Sequence, residues 1–175
     1  MSKYLFLDRD GTIIEDKGYV HKIKDLKFLT GAIAGLKKFR NIGYKFIIVT
    51  NQAGIARGLY SLQDAERFNK TLISHLGAKG VKIEKIYLCE HHPDFTGACL
   101  CRKPQLGLAK LASKEFSINL SDSIFIGDKD SDIKFGKNCG GATVWIRNKR
   151  YSNTIAADLN ANDLDHAFEL LTNTN

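Results

Sequence analysis

The sequence predicts an α/β domain, a parallel sheet with helices on both faces. Three observations predict it. Five short apolar runs, rich in β-branched and aromatic residues, recur along the 175 residues. Between them lie segments whose apolar residues repeat with a helical period. The two kinds of segment alternate, and parallel neighbours need a crossover that is usually a helix. The length fits one domain, residues 1–175, with a sizeable core.

Tyr4-Leu5-Phe6-Leu7 reads as the first buried strand, and it ends abruptly in Asp8-Arg9-Asp10-Gly11-Thr12. Ile14 to Leu29 is polar and Lys-rich and breaks the alternation. Gly31 to Ile42 places Ile33, Leu36 and Phe39 on one helical stripe, and Gly43 suits its end. Lys45 to Val49 is the second strand. Ser61 to about Lys79 is a long helix, opened by the capping box Ser61-Leu-Gln-Asp64. Lys85 to Leu88 is the third strand, and Cys89 to Pro104 forms a loop of its own. Leu106 to Phe116 is helical, Ser123 to Ile126 the fourth strand, Ser131 to Cys139 helical and Ala142 to Ile146 the fifth strand. Asp163 to Leu171 is a last helix, followed by a polar tail expected to fray. The two irregular segments belong above the carboxyl edge of the sheet, where ligands bind in such folds. Neither is long enough for a lid domain, so an open site is expected.

The formal net charge is +7 and the pI about 9.2, a balance that favours anionic partners. No signal pattern and no run of membrane-spanning length appears, which predicts a cytoplasmic protein. Three of the four cysteines fall between Cys89 and Cys101, a clustering that favours metal over disulfide in a reducing compartment.

Carboxylates at the end of a buried strand need a partner or a cation. Asp8 and Asp10 suit Mg²⁺, a hard cation with oxygen ligands. They also suit a division of labour, one attacking phosphorus and the other handling protons. The second strand ends in Thr50-Asn51-Gln52-Ala53-Gly54, which can donate hydrogen bonds to phosphate oxygens. The fourth ends in Gly127-Asp128-Lys129-Asp130-Ser131-Asp132. Asp128 is placed to complete a cation site with Asp8 and Asp10, and Lys129 to offset phosphate charge. Asp132 could hold Lys103 or a metal-bound water, although an acidic first turn also suits a helix dipole. Arg102-Lys103-Pro104 makes Lys103 a fixed cationic arm, since Pro104 biases the preceding residue away from helix. Cys89, His91, Cys99 and Cys101 supply three thiolates and an imidazole, enough to close a tetrahedral structural Zn²⁺ site. His92 is a rival ligand, and Cys139 reads as a small core residue.

Asp-x-Asp-Gly-Thr, a strand-end Thr, a Lys and Gly-Asp-x-x-x-Asp, in that order, resemble the haloacid dehalogenase superfamily of phosphohydrolases. The resemblance spans nearly the whole chain. It implies a Rossmann-like three-layer sandwich, mostly parallel, with the first strand central and no large cap domain. It also implies Asp8 as nucleophile and Asp10 as general acid and base. Thr50 and Lys103 would hold the phosphoryl group, and Asp128 would help bind Mg²⁺.

Adding Gly18-Tyr19-Val20-His21, Gly54-Ile55-Ala56-Arg57-Gly58 and the Cys-x-His-His-Pro loop narrows the likeness. The chain is similar to the heptose bisphosphate phosphatases, which remove the C7 phosphate during nucleotide-heptose synthesis for lipopolysaccharide. Histidinol-phosphatase relatives share the aspartates and the zinc loop. The resemblance implies substrate contacts from Asp16, Lys17, Gly18, Tyr19, Thr50, Asn51, Gln52, Ala53, Arg57, Arg102, Lys103 and Lys129. Ala53 stands where Ser is expected, which removes a hydroxyl contact. Arg102 is the expected grip on the second phosphate, because a guanidinium forks onto phosphate oxygens. The expected partner is a phosphorylated sugar, with no nucleic acid and no membrane, and the expected state a monomer. A zinc-containing nucleic-acid-binding module is the reading from another class. It finds no basic stripe or interleaved aromatics and leaves Asp8, Asp10 and Asp128 unexplained.

Overall fold

The computed structural model describes residues 3–173. Its six-stranded sheet has the order β3-β2-β1-β4-β5-β6, with every neighbouring pair parallel. The strands are β1 (Lys3–Leu7), β2 (Tyr44–Asn51), β3 (Ile83–Cys89), β4 (Ile124–Gly127), β5 (Ala142–Ile146) and β6 (Leu159–Ala161). The helices are α1 (Ala32–Asn41), α2 (Ala53–Ala56), α3 (Leu62–Ala78), α4 (Pro93–Thr96), α5 (Gly107–Phe116), α6 (Asp130–Asn138) and α7 (Leu164–Asn173).

The period of two along each strand divides the core between the faces of the sheet. Leu5 and Leu7 of β1 join Phe46 and Ile48 of β2 under α1, α3 and α7, which contribute Leu36, Phe68, Leu72 and Leu164. Tyr4 and Phe6 point the other way, with Ile47, Val49 and Phe125, against Leu108 and Ala112 of α5 and Phe135 of α6. β1 is inside the sheet, buried on both faces, which is why it reads as an unbroken apolar run. Helix α3 starts at the expected capping box: Ser61 Oγ accepts from Asp64 N, and Asp64 Oδ2 accepts from Ser61 N. Gly35 lets α1 and α7 approach closely, since a Cβ there would lie 2.3 Å from the Leu164 carbonyl.

Two expectations are corrected. The described residues form six strands rather than five, because Leu159-Asn160-Ala161 extends the sheet beside β5. Three residues with a polar centre carry no periodic signal, and pairing with β5 decides their state. The last helix also runs on through Thr172 and Asn173, with Thr172 Oγ1 bonded to the Phe168 carbonyl. The remainder of the polar tail lies outside the described residues. No helix among the described residues is long and apolar enough to cross a membrane.

Candidate active site

The carboxyl ends of β1, β2 and β4 meet at one cleft of about 320 Å³. β1 delivers Asp8, which is 6% exposed and anchored by its backbone N–H to the Ile126 carbonyl. The chain then turns sharply at Gly11, whose φ is +86°. A Cβ at Gly11 would lie 2.0 Å from Asp128 Oδ2, so this turn has room only for glycine.

Lys103 is almost fully buried, with Nζ 2.8 Å from Asp8 Oδ1 and 2.7 Å from Asp132 Oδ1. Asn51 clamps its backbone from both sides: Asn51 Oδ1 accepts from Lys103 N (3.0 Å) and Nδ2 donates to Lys103 O (3.1 Å). Burial pushes the Asp8 carboxyl up, but Lys103 and Lys129 outweigh it and hold Asp8 below its ordinary range. Asp8 is therefore an anion, as a nucleophile must be. Asp132 also accepts the Lys129 backbone N–H at 3.0 Å, so it caps α6 as well as pairing with Lys103.

Asp128 is 1% exposed, and burial together with Asp8 pushes its carboxyl up to about 8 despite Lys129. A buried acid so perturbed calls for a cation. The Lys129 ammonium stands in that position, 3.3 Å from Asp128 Oδ1, 3.3 Å from the Asp10 carbonyl and 3.7 Å from Asp8 Oδ2. The donors around it are all oxygens, which fits Mg²⁺. Asp10 offers its main-chain carbonyl to this cluster. Its carboxylate turns instead to Arg9 and to Gln52 Nε2 (2.8 Å). A metal role for Asp10 therefore rests on the main chain, because the side chain is taken. Ligand oxygens of Asp8, Asp128 and Asp132 lie within 4.8 Å of one another. Burial and the Asp8 charge hold the Asp10 carboxyl above its ordinary range despite Arg9, the direction that suits a proton donor.

Asp16, Gly18, Tyr19, Asn51, Gln52, Ala53, Arg57, Arg102, Lys103 and Lys129 all face the cleft. Two expected contacts do not line it. Thr50 lies beneath it, 1% exposed, with Oγ1 accepting from Gln52 Nε2 at 2.7 Å. Lys17 faces a neighbouring groove and sits 3.9 Å from Glu15, because Gly18 and Tyr19 turn the chain through positive φ just after it. The Arg57 guanidinium lies 4.6 Å over the Phe95 ring and 5.9 Å from Tyr19. Arg102 Nη1 donates to the His91 carbonyl at 3.1 Å.

That carbonyl belongs to the cysteine loop. Cys89 Sγ lies 3.7 Å from Cys99 Sγ and 2.9 Å from Cys101 Sγ, and the latter pair are 3.4 Å apart. His91 Nδ1 is 3.2 Å from Cys101 Sγ and 3.9 Å from Cys89 Sγ. Ligands about 2.3 Å from a tetrahedral ion stand roughly 3.8 Å apart, so a small relaxation admits zinc. His92 points elsewhere: it caps α4, accepting from Asp94 N, and lines the cleft. Cys139 is half-buried at the end of α6, beside the second core.

Sequence reasoning missed Arg9, Arg150, Tyr151 and Tyr60, which lines the cleft and whose hydroxyl donates to Gln52 Oε1 at 2.6 Å. Arg9 lay in view between the two aspartates, but nothing marked it as buried. Arg150 and Tyr151 come from the polar segment after β5. They bind Asp16 through Arg150 Nη1 (3.1 Å) and the Tyr151 hydroxyl (3.1 Å), and only the folded chain brings the segments together.

Residues 3–171 match the family described as Polynucleotide kinase 3 phosphatase. One relative is the D-glycero-alpha-D-manno-heptose-1,7-bisphosphate 7-phosphatase of Photorhabdus laumondii. It is 45% identical over 143 residues, 79% of this chain and 78% of the relative. The D-glycero-beta-D-manno-heptose-1,7-bisphosphate 7-phosphatase of the same organism is 40% identical over 158 residues, 87% and 84% of the two chains. A crystal structure of the D,D-heptose 1,7-bisphosphate phosphatase from B. bronchiseptica, complexed with magnesium and phosphate, shares the fold. The TM-score is 0.87 at 24% identity, over 99% of both chains. A sheet centred on β1, the aspartates at its carboxyl edge and these relatives over most of their length lead to one conclusion: this chain is a phosphatase belonging to the D-glycero-D-manno-heptose-1,7-bisphosphate 7-phosphatase family.

Proposed function

We propose that this enzyme removes the C7 phosphate of D-glycero-D-manno-heptose 1,7-bisphosphate and leaves the heptose 1-phosphate. The observation that carries the reading is a cleft with a nucleophile and cation cluster at its floor and three guanidinium groups on its wall, Arg57, Arg102 and the Asp16-paired Arg150. An ionised Asp8 attacks phosphorus and forms an aspartyl phosphate, while Asp10 gives its proton to the departing C7 oxygen. Asp10, now anionic, takes a proton from the water that hydrolyses the intermediate. Lys103 and Lys129 neutralise the phosphoryl oxygens. Mg²⁺ held by Asp8, the Asp10 carbonyl and Asp128 supplies further charge neutralisation when bound. Cys89, His91, Cys99 and Cys101 would hold a zinc ion that staples the loop presenting Arg102 and Lys103. With four protein ligands its role is structural. A reducing compartment such as the cytoplasm keeps those cysteines out of disulfides and available to the metal.

The second phosphate gives remote binding energy that aligns the first. Arg102 is its principal grip, with Arg57 beside it. A charge-assisted contact contributes about 1.5 to 3 kcal/mol, or about one to two decades in rate. The test is phosphate release from both heptose bisphosphate anomers, fructose 1,6-bisphosphate, histidinol phosphate and a 3′-phosphorylated oligonucleotide. The heptose bisphosphates should be preferred. Arg102→Ala should lower kcat/KM on them by that factor and leave a small monophosphate nearly unchanged. Equal losses on both would remove the second-phosphate role of Arg102. A preference for histidinol phosphate or the oligonucleotide would overturn the substrate assignment.

A further inference from the structure

Arg9 stands between the two site aspartates and has 0% exposure, yet no step of the proposed reaction uses it. Burying a guanidinium is costly unless its N–H groups are satisfied. Here two of them converge on Asp10, and the others reach Asn69, the Val20 carbonyl and Gln52 Oε1. Nε donates to Asp10 Oδ2 at 3.1 Å and Nη2 to Asp10 Oδ1 at 3.1 Å, a two-pronged fork on a single carboxyl. The fork is itself fixed. Nη1 donates to Asn69 Oδ1 of α3 at 2.8 Å, Nη2 also reaches the Val20 carbonyl at 2.7 Å, and the Phe68 ring lies 4.6 Å from the guanidinium carbon. Gln52 Nε2 adds a second donor to Asp10 Oδ2. Oδ2 thus faces Nε, Nη2 (2.9 Å) and Gln52 Nε2, whereas Oδ1 takes Nη2 alone, which leaves Oδ1 a lone pair able to carry a proton. A planar fork allows a carboxyl one orientation, which a point charge would not.

We propose that Arg9 is a positioning residue, which holds Asp10 Oδ1 where its proton reaches the leaving-group oxygen and so equips this enzyme to expel poor, alkoxide-like leaving groups. The inference rests on the reading of Asp10 as general acid. In the step concerned the Asp8–phosphorus bond forms and the ester P–O bond breaks. The electron pair stays on the ester oxygen, which takes the Asp10 proton. A nitrophenolate leaves without that proton, whereas phenolate and sugar alkoxides depend on it increasingly.

The experiment compares kcat/KM for phenyl phosphate and p-nitrophenyl phosphate, since kcat/KM covers the steps through departure of the leaving group. The proteins are the wild type, Asp10→Asn, Arg9→Lys and Asn69→Ala. General acid catalysis contributes about 10²- to 10⁴-fold. Asp10→Asn should therefore lower the phenyl-to-nitrophenyl ratio by about tenfold or more. Arg9→Lys keeps the charge but loses the fork, and should lower the ratio nearly as far. Asn69→Ala removes the acceptor of Nη1, so the guanidinium that carries the fork is held less firmly, and should act in the same direction, more weakly. It alone decides the matter if Arg9→Lys does not fold. A merely structural Arg9 would depress both substrates alike. A ratio that falls in Asp10→Asn but stays at the wild-type value in the folded Arg9 and Asn69 variants overturns the proposal. A ratio unmoved in Asp10→Asn overturns the general-acid reading beneath it.

Discussion

Replacing Lys103 by Met keeps most of the side-chain volume and removes the charge that two buried carboxylates share. Lys103 Nζ lies 2.8 Å from Asp8 and 2.7 Å from Asp132, and those carboxylates are each 6% exposed. Removing one partner of a buried ion pair costs about 3 to 5 kcal/mol, because a charge is left without compensation. Lys129 remains 3.7 Å from Asp8 and offsets part of this, so the lower end, about 3 kcal/mol, is expected. In a domain of this size that corresponds to a fall in Tm of about 6 to 12 °C at neutral pH. The pH dependence carries a sign. Lys103 has its pKa raised by Asp132 and Asp8 against the effect of burial. Its contribution is complete below the unfolded value of 10.5 and is lost only as pH rises through the folded one. In Lys103→Met Asp132 loses its paired ammonium and Asp8 keeps only Lys129, so the folded pKa values of both carboxyls rise. They destabilise the fold above the unfolded carboxyl range and cease to do so once protonated. The deficit in Tm should therefore be largest near pH 7 and shrink towards pH of about 4. Calorimetric melts of both proteins across that range measure it. Turnover should also fall by about 10² or more, the loss seen on removing one donor to transition-state charge. A Tm within about 2 °C of wild type at pH 7, or a deficit that grows on acidification, would refute the account.

Gly11→Ala should push Asp128 out of line, since its Cβ would fall 2.0 Å from Oδ2 at a φ of +86°. The Mg²⁺ concentration needed for half-maximal activity should rise, with about 1 to 3 kcal/mol lost in stability. An unchanged Mg²⁺ titration would count against the cation site. Metal analysis of protein purified under reducing conditions should find about one zinc per chain. Cys101→Ser should remove the zinc and raise KM by displacing Arg102 and Lys103, and zinc-free wild type with full activity would end the structural-zinc reading. Burial pushes the Asp16 carboxyl up, but Lys129, the Gly18 N–H and Arg150 outweigh it and hold Asp16 below its ordinary 3.8. The stability it contributes is present above that unfolded value and is lost as pH falls through the folded one. Asp16→Asn should lower Tm near pH 6 and converge with wild type by about pH 3, and parallel melting curves would show that Asp16 holds nothing.

Much of this molecule was determined by the sequence alone. Short unbroken apolar runs such as Tyr4–Leu7, rich in aromatic or β-branched residues and cut off by Asp and Gly, read as strands buried on both faces, and Leu36, Phe68 and Leu72 fall on helical stripes whatever they pack against. Asp8, Asp10 and Asp128 were legible as a site because charge at the end of a buried strand has to be compensated, and the local chain shows where a strand ends. The thiol cluster was legible from spacing for the same local reason. Only the tertiary structure decided the rest. It turned the Asp10 carboxylate to Arg9 and left its carbonyl to the cation cluster, because a fully buried guanidinium had to find acceptors. Asp132 became the partner of Lys103, 29 residues away, and not simply an acidic helix turn. The polar segment after β5 was brought onto Asp16, and Leu159–Ala161 became a strand by pairing with β5. Even the pairing of adjacent Arg9 and Asp10 depends on Asn69 and Gln52 holding the guanidinium, and the other outcomes likewise join segments far apart in sequence, where neither periodicity nor a neighbouring residue carries the information.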